Sequence, residues 1–424
     1  MHHLTMKNMG PISNCEIDID SFTVLTGAQA SGKSTIAKSV FFFRTIKDDI
    51  LEAMVKRSIS NNNNMSLYKT VGNQIRNKFL QIFGSSRAMD SDLCLKYNYS
   101  QDTSIEITLE LKKGYDYVSP NYVFFTFSKN IENFLRKYNN YDLSEANERN
   151  KIKEELNSLF CDDYETIFIP AGRSLITLLT TQLNYIFTIM DDEQRHSIDF
   201  CTQKYVERIL KIRSAFDEGI AGYYEKKRIT SYINTNQKFV KKCMDCVDNI
   251  LKGRYKYITG EERLMISDDK YVKINYTSSG QQESVWIFNI LMYQIINGTK
   301  SFIILEEPEA HLYPNAQKDI AELLSMFIYC GNSVMVTTHS PYILGAFNNL
   351  LFANSILSSD NITKIKAIID EEKLLKTCAS FYLQNGIIVD CYDHQNNMIK
   401  NEIIDGASEE INSFFDKLTE IENG

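Results

Sequence analysis

The stretch Gly27-Ala28-Gln29-Ala30-Ser31-Gly32-Lys33-Ser34 constrains this chain more than any other. It fits the pattern G-x-x-x-x-G-K-[ST] at every fixed position and directly follows the compact β-type run Phe22-Thr23-Val24-Leu25-Thr26. A helix predicted from near Gly32 through Phe43 completes a strand–loop–helix unit, a context that a chance match in a turn would lack. Glycines let the backbone curl until its N–H groups face an anion, and the helix N-terminus adds positive dipole. In that arrangement Lys33 reaches the β- and γ-phosphates of a nucleotide and Ser34 ligates Mg²⁺. Residues Gly27 to Thr35 are the candidate phosphate-binding set.

The remaining pattern supplies an α/β fold for this unit. Residues 4–26 read as two short strands and a buried one, and strands return from about Cys94 to Phe127. Asn61–Asn64 reads as a loop, and residues 129–160 as charged helix. A strand at Thr166–Ile169 ends at Pro170, and residues 175–256 then read as helix with few turn signals. After a strand at Tyr271–Tyr276, helix and strand alternate: Gln281–Ile296, Phe302–Leu305, Asn315–Tyr329 and Val334–Thr338. Such alternation is the mark of a parallel sheet.

Three further groups carry chemistry. Phe302-Ile303-Ile304-Leu305 leads into Glu306-Glu307-Pro308-Glu309, which puts two carboxylates at the C-terminal end of a buried strand, where ligands sit in parallel sheets. Glu306 can hold Mg²⁺ and Glu307 can orient or deprotonate the attacking water. Val336-Thr337-Thr338-His339 places a histidine at another strand tip, able to donate to a γ-phosphate. Thr277-Ser278-Ser279-Gly280-Gln281 precedes a helix, so Ser279 and Gly280 can present a hydroxyl and N–H groups to phosphate. Val285, Phe288, Met292 and Ile295 recur at helical spacing and should anchor that helix.

Composition narrows the setting. The 424 residues carry a net charge of −8, so no field over the whole protein draws it to nucleic acid. No apolar run reaches the roughly 18–20 residues that span a bilayer, and the start lacks the features of a signal peptide. Nine scattered cysteines suit reduced thiols in a cytoplasm, with the pair Cys243 and Cys246 expected to pack in a helix. One local exception is basic. Residues 201–257 hold thirteen Lys and Arg against six Asp and Glu, interleaved with Tyr223, Tyr224, Tyr232, Tyr255 and Tyr257. This pattern fits either a nucleic-acid platform or a solvated helical face over core tyrosines.

In order and content, Gly27–Ser34, Ser279-Gly280-Gln281, Glu306–Pro314 and Thr338-His339-Ser340-Pro341 resemble the ABC-type ATPases of the SMC group. The resemblance is nearest to AAA-labelled ATPases similar to the overcoming-lysogenization-defect family, in which E-E-P-E-A-H-L-x-P and T-H-S-P recur. Ile169-Pro170-Ala171-Gly172-Arg173-Ser174 also resembles a segment of such ATPases. Departures are visible: Glu306 stands where most ABC ATPases have aspartate, and Thr277–Gln281 differs from L-S-G-G-Q at several positions. No Q-loop glutamine is identified, and Arg173 stands as the candidate for a related sensing position.

The resemblance implies a P-loop NTPase of α/β class, an ABC/SMC-like head with a projecting helical insertion. Its parts would be an N-terminal lobe over 1–174, the insertion over 175–260 and a C-terminal lobe over 261–424. It implies hydrolysis of ATP with Mg²⁺ in a homo-oligomer, where Ser279 and Gly280 of one copy face the nucleotide held by Lys33 of another. Unlike the nucleases of that family, only 85 residues follow His339, without spaced acidic clusters. The implied role is therefore a sensor or regulator in antiphage defence with a separate effector, a nuclease or toxin. The alternative is an SMC-like repair or clamp ATPase touching DNA through the basic stretch 201–257.

Overall fold

Eleven strands form one sheet in the computed structural model, which describes residues 2–60, 65–111, 117–119, 122–141, 143, 145–178, 199–230, 236–400 and 412–413. The first seven strands are β1 (His2–Met9), β2 (Ile12–Ile19), β3 (Phe22–Gly27), β4 (Cys94–Asn98), β5 (Ser104–Leu109), β6 (Val123–Phe127) and β7 (Glu165–Ile169). A separate three-stranded sheet holds β8 (Arg254–Ile258), β9 (Glu261–Met265) and β10 (Tyr271–Lys273). β11 (Ser301–Glu306), β12 (Ser333–Thr338), β13 (Ala379–Gln384) and β14 (Ile387–Asp390) return to the large sheet. Its order is β6-β5-β4-β1-β2-β14-β13-β3-β12-β11-β7.

The two halves of that sheet differ in direction. β6, β5, β4, β1 and β2 pair antiparallel, whereas β13, β3, β12, β11 and β7 all run parallel. β14 joins them, antiparallel to β13 and parallel to β2. This is the α/β architecture expected of a phosphate-loop fold, with a large central sheet. β3 lies between β12 and β13, and β7 lies beside β11, so strands from both ends of the chain interleave.

Hydrophobic patterning explains which strands are central. Parallel strands are covered on both faces and read as continuous apolar runs. In β11, Ile303 and Leu305 enter one core while Phe302 and Ile304 enter the other. β2 instead alternates, with Cys15, Ile17 and Ile19 buried and the intervening residues exposed, as befits a strand with one wet face.

The helix Ser279–Asn297 is buried on nearly all sides, with Val285, Phe288, Met292 and Ile295 in the core as their spacing requires. It starts with a capping box between Ser278 and Gln281 and stops at Gly298, whose φ of 62° suits glycine.

The basic stretch differs from expectation. Helices Phe200–Ile212, Gly219–Thr230 and Gln237–Leu251 do not project. Tyr205, Ile209, Val240 and Val247 share one core with Val24, Ile303 and Val336 of the sheet. The helical reading to residue 256 also overran: from Arg254 the chain is strand, because Tyr255 alternates with polar neighbours and packs inward. Residues 129–160 form two helices, Lys129–Lys137 and Ala146–Leu159, and β10 gives way at Ile274 to a single 3₁₀ turn. Cys243 is buried, in keeping with helix packing. The Asn61–Asn64 loop, Tyr232 and residues 179–198 lie outside the described residues. Among the described residues no helix is long and apolar enough to cross a membrane.

Candidate nucleotide site

The site lies where the parallel strands end. β3 delivers the chain into a loop with positive φ at Gly27, Ala30 and Gly32. Gly27 has φ 142°, and a Cβ there would lie 2.3 Å from the Leu383 carbonyl oxygen. Gly32 has φ 107°, and a Cβ there would lie 2.3 Å from Ile12 Cδ1. At these two positions the loop passes close to β13 and to Ile12 of β2, and each has a positive φ that suits glycine. Helix Lys33–Arg44 starts immediately after, with no side-chain cap at Gly32 and no acidic residue in its first turn. Its first N–H groups and positive dipole end are left for an anion.

Lys33 is buried and folds back over the loop. Its Nζ donates to the Gly27 and Ala28 carbonyl oxygens at 2.9 and 2.8 Å and lies 3.4 Å from His339 Nδ1. Burial lowers its pKa from 10.5 to about 8, although the Glu307 and Glu309 carboxylates pull the other way. A phosphate would offer this ammonium a far better partner than two carbonyls.

The carboxylates come from the end of β11. Glu306 is buried: Oε2 accepts from the Ala171 N–H at 3.2 Å, while Oε1 has no hydrogen-bond partner. Ser31 Oγ and Glu309 Oε2 are likewise buried and unpartnered. Buried polar atoms nearly always find partners. Three of the orphans among the described residues fall on the loop and the paired-glutamate segment, where a bound ligand could pair them. The exposed Ser34 hydroxyl and the free Glu306 oxygen are both of the hard oxygen type that Mg²⁺ takes as ligands.

Glu307 occupies the left-handed region at φ 44°, uncommon for a residue other than glycine. Its N–H donates to the Thr337 carbonyl oxygen at 2.9 Å, and its Oε1 lies 3.3 Å from His339 Nε2. His339 therefore stands between Lys33 and Glu307, bridging the phosphate loop and the carboxylate. Glu309 fixes that histidine: its Oε1 accepts from the Thr338 hydroxyl and from the His339 N–H at 2.9 Å.

Ser279 and Gly280 are not part of this cluster. Among the described residues neither hydrogen-bonds to the phosphate loop. Gly280 packs on the segment after Glu309, where an added Cβ would lie 2.6 Å from the His311 carbonyl oxygen. Ser279 faces solvent, and nearby Tyr276 is 80% exposed. Beside the loop, Ser34, Thr35 and Lys38 line a cavity of about 870 Å³ whose other walls include Ile12, Phe83, Arg87 and Met89. Its mixed apolar and cationic lining suits the base and sugar of a nucleotide.

Sequence reading missed Glu309, the cavity wall at 82–90, and the network around Arg173. Arg173 is fully buried and donates to the Glu306 and Glu307 carbonyl oxygens at 2.6 and 2.9 Å. The resemblance of Ile169–Ser174 to a segment of such ATPases singled out Arg173 as a candidate sensing position, but not the partners it meets. Of the tyrosines in the basic stretch, Tyr223, Tyr224 and Tyr255 are buried and so placed that they cannot stack on bases, while Tyr257 is half-buried.

A family described as an AAA ATPase domain matches residues 1–344. Protein ea59 of Escherichia phage lambda is 31% identical over 94 residues, 20% of this chain, and the chain spans about a fifth (18%) of that protein's length. Among solved structures, the SmcHead bound to the C-winged helix domain of ScpA aligns with TM-score 0.39 at 13% identity, covering 92% of this chain and 97% of that one. The Pyrococcus furiosus Smc head domain with an extended coiled coil, bound to the C-terminal domain of ScpA, aligns with TM-score 0.38 at 13% identity, covering 97% and 100%. The SMC head domain from Thermotoga maritima aligns with TM-score 0.36 at 12% identity, covering 92% and 97%.

Proposed function

Since the chain belongs to the AAA ATPase domain family, we propose that it is a Mg²⁺-dependent, homo-oligomeric ATPase that regulates a separate effector protein in antiphage defence. The observation that carries the hydrolytic part is the run Lys33–His339–Glu307, with contacts of 3.4 and 3.3 Å, at the ends of parallel strands. Lys33 exchanges its two carbonyl partners for phosphate oxygens when ATP enters. Ser34 and Glu306 would hold Mg²⁺, which when bound neutralises charge developing on the phosphates. Glu307 accepts the proton of the attacking water, and His339 holds the γ-phosphate on one side and orients Glu307 on the other.

Self-association is supported by what rims the site. Tyr276 precedes Ser278, Tyr313 caps the helix Pro314–Tyr329, and Tyr342 follows His339, all three exposed. Exposed tyrosines around an incomplete site suit a second copy bringing Ser279 and Gly280 to the phosphates. The regulatory role in the cytoplasm, with a nuclease or toxin as effector, rests on the E-E-P-E-A-H-L-x-P resemblance.

The experiment is co-expression with the products of neighbouring genes, followed by phage challenge of cells carrying wild type, Lys33→Ala or Glu307→Gln. Wild type should protect and co-purify with an effector in a nucleotide-dependent way. Equal protection by Lys33→Ala would overturn the regulator reading while leaving the hydrolytic site intact.

A further inference from the structure

Arg173 joins three chain segments that are distant in sequence. Its Nη1 donates to the Pro170 carbonyl oxygen at the end of β7 and to the Glu306 carbonyl oxygen, both at 2.6 Å. Its Nη2 donates to the Glu307 carbonyl oxygen at 2.9 Å. Its Nε donates to the Glu283 carbonyl oxygen at 2.9 Å and pairs with Glu283 Oε2 at 3.3 Å. Glu283 belongs to the first turns of helix Ser279–Asn297, and its carboxylate also accepts from the Arg173 and Ser174 N–H groups, each at 2.9 Å. Both partners are sealed from water, at 0% and 2% side-chain exposure.

This geometry has two consequences. The peptide oxygens of Glu306 and Glu307 lie on either side of the Glu307 Cα, so the guanidinium fixes both planes of a residue held at φ 44°. A left-handed non-glycine residue persists only where its surroundings over-determine it. At the other end, the same guanidinium is tied to the helix whose first residue, Ser279, reaches the surface, with Gly280 buried behind it. On the buried side of that helix Trp286 Nε1 and both side-chain polar atoms of Asn289 lack partners. A seat that leaves buried polar atoms unpaired leaves room for a second one that pairs them.

We propose that Arg173 is a positioning residue that makes water activation by Glu307 conditional on the seat of helix Ser279–Asn297. The inference rests on the hydrolytic reading above and deepens it with a route of control. A copy that engages Ser279 and Gly280 shifts the helix, Glu283 carries Arg173 with it, and the Glu307 carboxylate is aimed or withdrawn. Arg173 itself touches no phosphate in this scheme. Lysine cannot replace it, because one ammonium cannot span four backbone oxygens and a carboxylate as a planar fork does.

The test is a double-mutant cycle on the full chain, read by turnover, affinity for a fluorescent ATP analogue, and melting temperature. Arg173→Lys should lower kcat about 100-fold with analogue affinity within twofold. Because a lone buried charge can unfold a protein, the paired variant Arg173→Met with Glu283→Met is the folded control. It should melt near wild type, bind the analogue and still lack turnover. In a Glu307→Gln background, Arg173→Lys should change the residual rate less than twofold, since the group it positions is gone. Wild-type kcat in either Arg173 variant, or the full 100-fold loss persisting without Glu307, would overturn the proposal. A wild-type protein that neither binds nor hydrolyses ATP would instead overturn the function on which it rests.

Discussion

Two regions are conspicuous for their cations, and they behave in opposite ways. At the phosphate loop Lys33 is buried, and its hydrogen-bond partners among the described residues are the Gly27 and Ala28 carbonyl oxygens and a histidine nitrogen. In residues 201–257, cations are numerous, and six of the thirteen sit in ion pairs. Lys204 pairs with Glu207, Arg208 with Glu165, Lys226 with Asp217, Arg228 with Glu225, Lys242 with Asp370 and Glu372, and Arg254 with Asp268. The tyrosines between them mostly face the core. A count of charges alone does not mark a site, whereas a buried cation held by weak neutral acceptors is placed to take an anion. Orphaned oxygens at Glu306 and Glu309 repeat that signal with the opposite sign.

The comparison breaks first at Lys33. Lys33→Ala should weaken ATP binding at least about 100-fold, on the order of 3 kcal/mol, because the loop loses its one fixed cation. Equilibrium titration with a fluorescent analogue checks it. Affinity within twofold of wild type would make the lysine an ordinary loop staple.

Next in size is the exposed helix start. Ser279→Arg should reduce turnover by about 100-fold through bulk and charge at the contact between copies, while binding at Lys33 stays within a few-fold. Wild-type turnover should also rise more steeply than linearly at the dilute end of a protein titration. Turnover proportional to concentration throughout would remove the second copy from the site.

A smaller effect follows from pH. Free Lys33 titrates near 8, below its ordinary 10.5, whereas bound phosphate keeps the ammonium charged. Binding then takes up a proton, so affinity should be flat below about pH 8 and fall up to tenfold per unit above it. For the fold itself the sign is reversed. The lowered pKa makes Lys33 a burden on stability below about pH 8, a burden that fades as pH rises toward 10.5. Lys33→Arg should bind without the alkaline loss, and an unchanged alkaline limb in that variant would assign the titration elsewhere.

The smallest change is expected in the basic stretch. Replacing Lys226, Lys227, Arg228, Lys241 and Lys242 with Glu should leave hydrolysis within twofold and cost at most about 1 kcal/mol per broken surface pair. Salt-dependent binding of single-stranded DNA by wild type, lost in this variant, would restore the platform that the buried tyrosines argue against.

What was legible in the sequence follows from range. The strand–loop–helix unit at 22–44, the apolar run at 302–305 and the anchors of helix Ser279–Asn297 are local patterns, and each appears where periodicity put it. Contacts between segments had no such signature. Nothing local says that Arg173 meets Glu283 and Glu307, or that Gly280 lies against His311. The mixed core under residues 200–251 was hidden for a related reason. Its lysines and arginines dominate the composition, while the residues that seat it, such as Tyr205 and Val247, are spread at helical spacing among them. The strands β13 and β14 escaped because Ala379–Asp390 alternates only weakly in polarity.

The central claim is that Glu307, bridged through His339 to the lysine of the phosphate loop, is the base for ATP hydrolysis. Rapid-quench single turnover of wild type and Glu307→Gln, with bound nucleotide measured in the same samples, tests it most directly. The variant should retain ATP with near-normal affinity and cleave it 10²- to 10⁴-fold more slowly, on the order expected for loss of a general base. Cleavage by Glu307→Gln within threefold of wild type, or trapping by Glu306→Gln in its place, would contradict the assignment.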